Sequence, residues 1–158
     1  MITVAIITVS DRVFRAQYED KSGPALKAFC EKRGWKVSGS SVVPDEEALI
    51  GDKTLELAKE CPLVLITGGT GIAERDVTPE AIGVIATKEL PGFGEVMRVK
   101  SFERFPNAIL SRSLAAVVGR SLVICLPGSP KGAVECLEIV ADAVPHAIEL
   151  LNGETAHK

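Results

Sequence analysis

The residues best suited to chemistry fall in one short run, 63–79, where the apolar series Leu63-Val64-Leu65-Ile66-Thr67 gives way to Gly68-Gly69-Thr70-Gly71, then Arg75-Asp76, and finally Thr78-Pro79. A branched apolar series ending in small residues predicts a buried strand. Glycine-rich backbone turns tightly and can aim its amides outward, a concavity that suits an anion. Arg75 and Asp76 place a charged pair between this loop and the segment that follows. Thr78-Pro79 predicts a helix start, with Thr78 as N-cap and Pro79 at the first helical position. Taken alone, the run is equally compatible with a tight strand-to-helix turn carrying a surface ion pair.

The rest of the chain bounds what this run can be doing. At 158 residues one domain is expected over 1–153, with 154–158 a frayed tail. Apolar residues make up 46% and charged residues 25%, the balance of a soluble globular protein. A net charge of −3 excludes a general nucleic-acid binder, which needs a basic face. One Trp and one Tyr leave little for stacking single-stranded bases. No apolar stretch approaches a membrane span of ~20 residues, and no export signal is legible, so a cytoplasmic protein is expected. Cys30, Cys61, Cys125 and Cys136 lack zinc-ligand spacing and read as small buried hydrophobes. His146 and His157 lie near the C-terminus, which argues against a histidine-dependent mechanism.

Several elements could carry the central run. Residues 2–9 form a β-prone, nearly all-apolar strand ending in Ser10-Asp11-Arg12, and Ser22-Gly23-Pro24 opens a helix stopped near Gly34. A weaker strand at 35–43 runs into Pro44-Asp45-Glu46-Glu47, where Asp45 reads as the N-cap of a helix to about residue 60. Beyond Pro79 a helix is expected to about residue 88, then another from Pro91 through Phe102. Residues 108–120, with Leu110-Ser111-Arg112-Ser113, have no pattern that assigns them. Residues 121–126 read as a buried strand ending in Pro127-Gly128-Ser129-Pro130, and a final helix runs to about residue 151, bent or split at Pro145. Alternating strands and helices predict an α/β fold: three layers, α/β/α, around a mostly parallel sheet. In such a sheet the loops after the strands gather on one edge, so Ser10-Asp11, Asp45, the glycine loop and Gly128-Ser129 could share a site.

Taken together, Thr8-Val9-Ser10-Asp11, Val43-Pro44-Asp45, Thr67-Gly68-Gly69-Thr70-Gly71 with Arg75-Asp76-Val77-Thr78-Pro79, and Leu126-Pro127-Gly128-Ser129-Pro130 resemble the molybdopterin-binding family of MogA/MoaB-type proteins, which includes the G domain of gephyrin. The ordered set spans nearly the whole chain. The resemblance implies adenylylation of molybdopterin from Mg-ATP, with release of pyrophosphate, during molybdenum-cofactor biosynthesis. It places the family's two functional aspartates, candidates for catalysis and for holding Mg²⁺, on Asp45 and Asp76. It implies substrate binding by Ser10, Asp11, Gly68, Gly69, Thr70, Gly71, Arg75, Ser101, Ser111, Arg112, Gly128 and Ser129, undivided between pterin and nucleotide, with Asp11 alternatively structural. It also implies a homotrimer or hexamer, and a separate molybdate-insertion protein as a possible partner. One departure is Cys125, where family members commonly carry Asn. A thiol cannot reproduce an amide's donor and acceptor; together with the short length, this leans the chain towards the MoaB-like branch and leaves open a non-catalytic molybdopterin carrier.

Overall fold

A computed structural model describes residues 1–154; of the tail expected to fray, everything beyond Glu154 lies outside the described residues. Three branched apolar runs form β1 (Thr3–Val9), β3 (Leu63–Thr67) and β6 (Ser121–Leu126), and the weaker, serine-diluted run forms β2 (Lys36–Val43); β4 (Lys88–Glu89) and β5 (Leu114–Val118) complete one sheet. The strand order is β2-β1-β3-β6-β5-β4. The first four pair in parallel, β5 runs antiparallel to β6, and β4 antiparallel to β5. Only β5 therefore opposes the rest, and the expected mostly parallel α/β sheet is what forms.

Alternation along the central strands feeds two cores. Val4, Ile6, Leu63, Leu65, Leu122 and Ile124 face one side, where they meet Leu26 and Cys30 of α2 (Ser22–Lys32), Met97 of α5 (Pro91–Phe102), Leu137 of α6 (Pro130–Val140) and Ile148 of α7 (Val144–Leu151). Ile7, Val64, Ile66, Val123 and Cys125 face the other, against Ile50 of α3 (Glu47–Ala58) and Ala81 and Ile82 of α4 (Thr78–Ile85). Each fully buried Ile or Leu contributes about 1.5–3 kcal/mol. This double coverage explains why β1, β3 and β6 are apolar almost throughout.

Register sets the strand ends level. Val9 pairs with Val43, Thr8 with Thr67, and Thr67 with Leu126. The loops at 10–11, 44–45, 68–71 and 127–129 consequently leave one edge of the sheet together. Because β5 is reversed, with Leu114 opposite Cys125, its starting end reaches the same edge and brings residues 111–113 with it.

Several local expectations are corrected. Thr78 is the first residue of α4 rather than its N-cap, a position held by Val77; the Thr78 hydroxyl instead donates to the Gly68 carbonyl at 2.9 Å. Asp45 does not cap α3 either. Glu46 occupies that position without a side-chain bond, and the Asp45 carboxylate is engaged elsewhere. Helix α4 stops at Ile85, because the amides of Thr87 and Leu90 bond to Val117 and Ala115 of β5. The unassigned stretch becomes a 3-10 turn, Pro106–Leu110, followed by β5. The last helix does split at Pro145: α6 ends at Val140, a 3-10 turn spans Ala141–Ala143, and α7 carries the proline in its first turn.

Candidate active site

The glycine loop is built around backbone that L side chains rarely adopt. Gly68 and Gly69 have φ of +104° and +68°, and a Cβ on Gly68 would strike the Val9 carbonyl, one on Gly69 the Thr78 hydroxyl. The Gly68 amide donates to the Leu126 carbonyl at 3.1 Å, whereas those of Gly69, Thr70 and Gly71 find no acceptor among the described residues. Thr67 Oγ1 donates to the Pro127 carbonyl at 2.7 Å, and a Cβ on Gly128 would lie 3.4 Å from Gly68 Cα. Two strand-end loops thus run backbone to backbone, with three amide donors left unused among the described residues. Ser129 caps α6, its hydroxyl oxygen accepting from the Gly132 amide at 3.1 Å, so a helix N-terminus points at the same edge.

The carboxylates are arranged by a reciprocal clasp between the loops after β1 and β2. The Asp11 amide donates to Asp45 Oδ2 at 2.9 Å, and the Asp45 amide to Asp11 Oδ1 at 3.0 Å. Arg75 grips Asp11 in a fork, Nε to Oδ2 at 2.9 Å and Nη2 to Oδ1 at 3.0 Å. Those bonds hold the Asp11 carboxyl below the usual range. Asp45 moves the opposite way: burial raises it, and the nearby charges of Asp11 and Asp76 push in the same direction. Ser10, beside the clasp, caps the single-turn helix α1 (Asp11–Phe14) by accepting from the Val13 amide at 3.2 Å.

Asp76 Oδ2 accepts from the Ala73 amide at 2.9 Å and lies 2.7 Å from where a Cβ on Gly71 would sit. Asp45 Oδ1 lies 3.4 Å from the equivalent point on Gly69. Both carboxylates therefore touch the glycine loop, and the Oδ1 of each accepts no hydrogen bond among the described residues. Two such hard oxygens fit a divalent cation that completes its shell with phosphate oxygens and water, as Mg²⁺ does. Among the described residues no cluster of three His, Cys, Asp or Glu could hold a metal unaided.

Arg112 braces the loop from behind. Its Nε donates to the Gly71 carbonyl at 2.8 Å, its Nη2 to the Asp76 carbonyl at 2.7 Å, and its Nη1 pairs with Glu80. Its own amide bonds to the Thr70 carbonyl at 2.8 Å.

Two cavities flank these loops. One, of about 400 Å³, is lined by Ser10, Asp45, Gly68, Gly69 and Asp76, together with Asp20 and Lys21. The other, of about 410 Å³, is lined by Thr70, Gly71, Ser101, Ser111 and Ser129, with apolar Met97, Ile72 and Leu110. Gly128 lines both. The sequence candidates thus gather on one edge but divide between two compartments. Asp11, Arg75 and Arg112 line neither. Residues outside the sequence candidates also belong in these walls, Asp20 and Arg98 among them. Asp20 accepts from the Thr8 hydroxyl at 2.9 Å and the Gly23 amide at 3.0 Å; its place three residues before Gly23 at a helix start was the available signal. Arg98 lines the second cavity, and nothing in its helical spacing distinguished it. Cys125 lines neither cavity: it is fully buried in the core beneath the sheet, where burial pushes its thiol up to about 12.

A family model described as a probable molybdopterin binding domain matches residues 5–146. The chain belongs to that family. Among relatives of this molybdopterin-binding family, the molybdopterin adenylyltransferase of Helicobacter pylori strain J99 is 42% identical, over 96% of this chain and 89% of its own. That of Escherichia coli K12 is 40% identical, over 96% of this chain and 86% of its own. The molybdopterin biosynthesis enzyme MoaB from Thermus thermophilus superposes with a TM-score of 0.91 at 41% identity, covering 97% of this chain and 98% of that structure. The fold and motif order expected from the resemblance are therefore those of the family.

Proposed function

We propose that this chain is a molybdopterin adenylyltransferase acting in molybdenum-cofactor biosynthesis. It joins the phosphate of molybdopterin to the adenylyl group of ATP and releases pyrophosphate. The observation that carries the reading is the meeting, between two cavities, of a loop with three unused amides and two carboxylates with free oxygens. The cavity holding Asp45, Asp76 and Lys21 suits a triphosphate with its cation. The cavity with larger apolar walls suits a flat heterocycle.

In this reaction a phosphate oxygen of the acceptor bonds to the α-phosphorus of ATP, and the bond from that phosphorus to the β-bridging oxygen breaks. The attacking oxygen is already anionic, so no strong base is needed. That agrees with the absence of histidine from both cavities among the described residues. Asp45 and Asp76 would hold Mg²⁺, which when bound screens the negative charge gathered on the phosphate oxygens. The amides of Gly69, Thr70 and Gly71 donate to those oxygens, and the N-terminus of α6 adds the positive end of its dipole. Ser10 and Ser129, both engaged as cap acceptors, keep their hydroxyl protons for ligand. Arg112 and the Asp11–Arg75 pair fix the loops. Cys125 is buried in the core and lines neither cavity, which supports a reading in which it makes no contact with ligand.

The single domain expected over 1–153 is part of this proposal, as is a homotrimer or hexamer. Val99, Phe102, Phe105 and Ile109 are left exposed on α5 and the turn that follows, apolar surface that an oligomer would cover; light scattering tests the assembly. The function itself is tested by pyrophosphate release with ATP, molybdopterin and Mg²⁺. Wild-type protein releases pyrophosphate only when all three are present, and Asp45→Ala and Asp76→Ala release none. Wild-type protein that forms no adenylylated product under those conditions would sink the proposal.

A further inference from the structure

Five arginines stand at the glycine loop or line the cavities beside it: Arg12, Arg75, Arg98, Arg104 and Arg112. Arg12 and Arg104 are exposed, with no side-chain hydrogen bond among the described residues to hold them, and Arg75 and Arg112 are already neutralised. Arg75 is held by both oxygens of Asp11, and Arg112 by Glu80 and two loop carbonyls. Arg98 differs. Among the described residues no carboxylate lies within ion-pair distance of it. Its guanidinium is nevertheless positioned, because Nη1 donates to the Ser113 carbonyl at 2.8 Å. The helix beneath it is cut away to receive it: a Cβ on Gly94 would lie 3.0 and 3.1 Å from its two terminal nitrogens and 2.6 Å from the Ser113 carbonyl.

Arg98 is half-buried and lines the second cavity with Thr70, Ser101 and Ser111. Its Nε and Nη2 make no hydrogen bond among the described residues. A planar fork with free donors, set in a wall with apolar neighbours, is suited to a phosphate oxygen pair. Partial burial beside Met97, Leu110 and Ile72 reduces the screening that would weaken such a contact in open solvent.

The geometry points to Arg98 as the residue that binds the phosphate monoester of the acceptor substrate, holding it in the second cavity beside Thr70 and Gly71. This rests on the adenylyl-transfer reading above, which supplies an acceptor carrying a phosphate. The two arginines picked out by sequence then serve the loops, and the ligand's charge is met by one that sequence does not single out.

The test is equilibrium binding under anaerobic conditions, with molybdopterin, phosphatase-treated molybdopterin and ATP as separate probes, on wild type, Arg98→Gln and Arg98→Lys. Glutamine removes the charge and lysine restores it, and binding of ATP and of the dephosphorylated pterin separates a fold effect from a ligand effect. Losing a charged hydrogen-bonding partner of phosphate corresponds to a drop in affinity of about ten- to a hundredfold. Arg98→Gln is expected to lose that much for molybdopterin while binding the dephosphorylated pterin and ATP as wild type does, and Arg98→Lys to recover part of the loss. Equal weakening towards all three probes makes Arg98 a structural strap and overturns the inference. So does weakening towards ATP alone, or unchanged molybdopterin affinity. Wild-type protein that fails to prefer the phosphorylated pterin overturns the adenylyl-transfer reading itself, an outcome distinct from failure at Arg98.

Discussion

If Arg112 shapes the loop rather than the ligand, its removal must register first as lost stability. Arg112→Ala leaves the carbonyls of Gly71 and Asp76 without their donors, while its backbone bond to Thr70 survives. A hydrogen bond to a charged group is worth about 1.5–3 kcal/mol. The side chain is 35% exposed, so water refills the site in part, and the lower end applies: about 3 kcal/mol for two bonds. The half-exposed pair with Glu80 adds at most about 0.5 kcal/mol. For a chain of this length each kcal/mol shifts the melting temperature by about 2–4 °C, which predicts a fall of about 6–12 °C. Glu80→Gln keeps both carbonyl bonds and should stay within about 2 °C of wild type. Arg112→Lys should fall between, because one ammonium cannot span two carbonyls and a carboxylate. Thermal melts read these directly, and pyrophosphate release should fall in the same order as Asp76 loses its support. An Arg112→Ala protein that melts like wild type but has a raised KM for one substrate would refute the argument and make Arg112 a ligand contact.

Two further perturbations address the carboxylates. The folded chain binds a proton at Asp45 more tightly than the unfolded chain does, since its carboxyl is raised by burial; ionised Asp45 therefore subtracts stability as pH rises through and above the ordinary carboxylate range. Ligand-free Asp45→Asn should lack that decline and melt no lower than wild type near neutral pH while losing pyrophosphate release. Melts across the acid-to-neutral range check the sign, and a wild-type advantage that grows with pH contradicts it. Gly71→Ala sets a Cβ 2.7 Å from Asp76 Oδ2 and should displace that carboxylate, so that a Mg²⁺ titration of activity half-saturates at a higher concentration than wild type. An unchanged titration would show that Asp76 does not handle the cation.

The legibility of this chain follows from where its information lies. Strands β1, β3 and β6 were plain because both faces are buried and nearly every position is branched or apolar. Strand β5 was not, because Ala115 and Ala116 give little β signal and its partner runs the other way. The two-residue β4 exists only through that pairing. At the site, Asp45, Asp76 and the glycine loop were readable, since strand ends in a parallel sheet converge by geometry. Their supports were not. The clasp joins residues 34 positions apart, and it turns a residue that reads as a helix cap into a carboxylate with one free oxygen. Likewise an arginine beside a glycine loop has the same sequence signature whether it faces a ligand, a carbonyl or an aspartate.

The reversal of β5 separates two tasks that a wholly parallel sheet would leave entangled. The compartment that holds Asp45 and Asp76 is walled mainly by loops that follow β1, β2 and β3, whereas the second compartment borrows α5 and the segment that precedes β5. Changes between Pro91 and Leu110 therefore reach the second compartment without touching the loops that carry Asp45 and Asp76, whereas Arg112 ties the segment before β5 to the glycine loop and to Asp76.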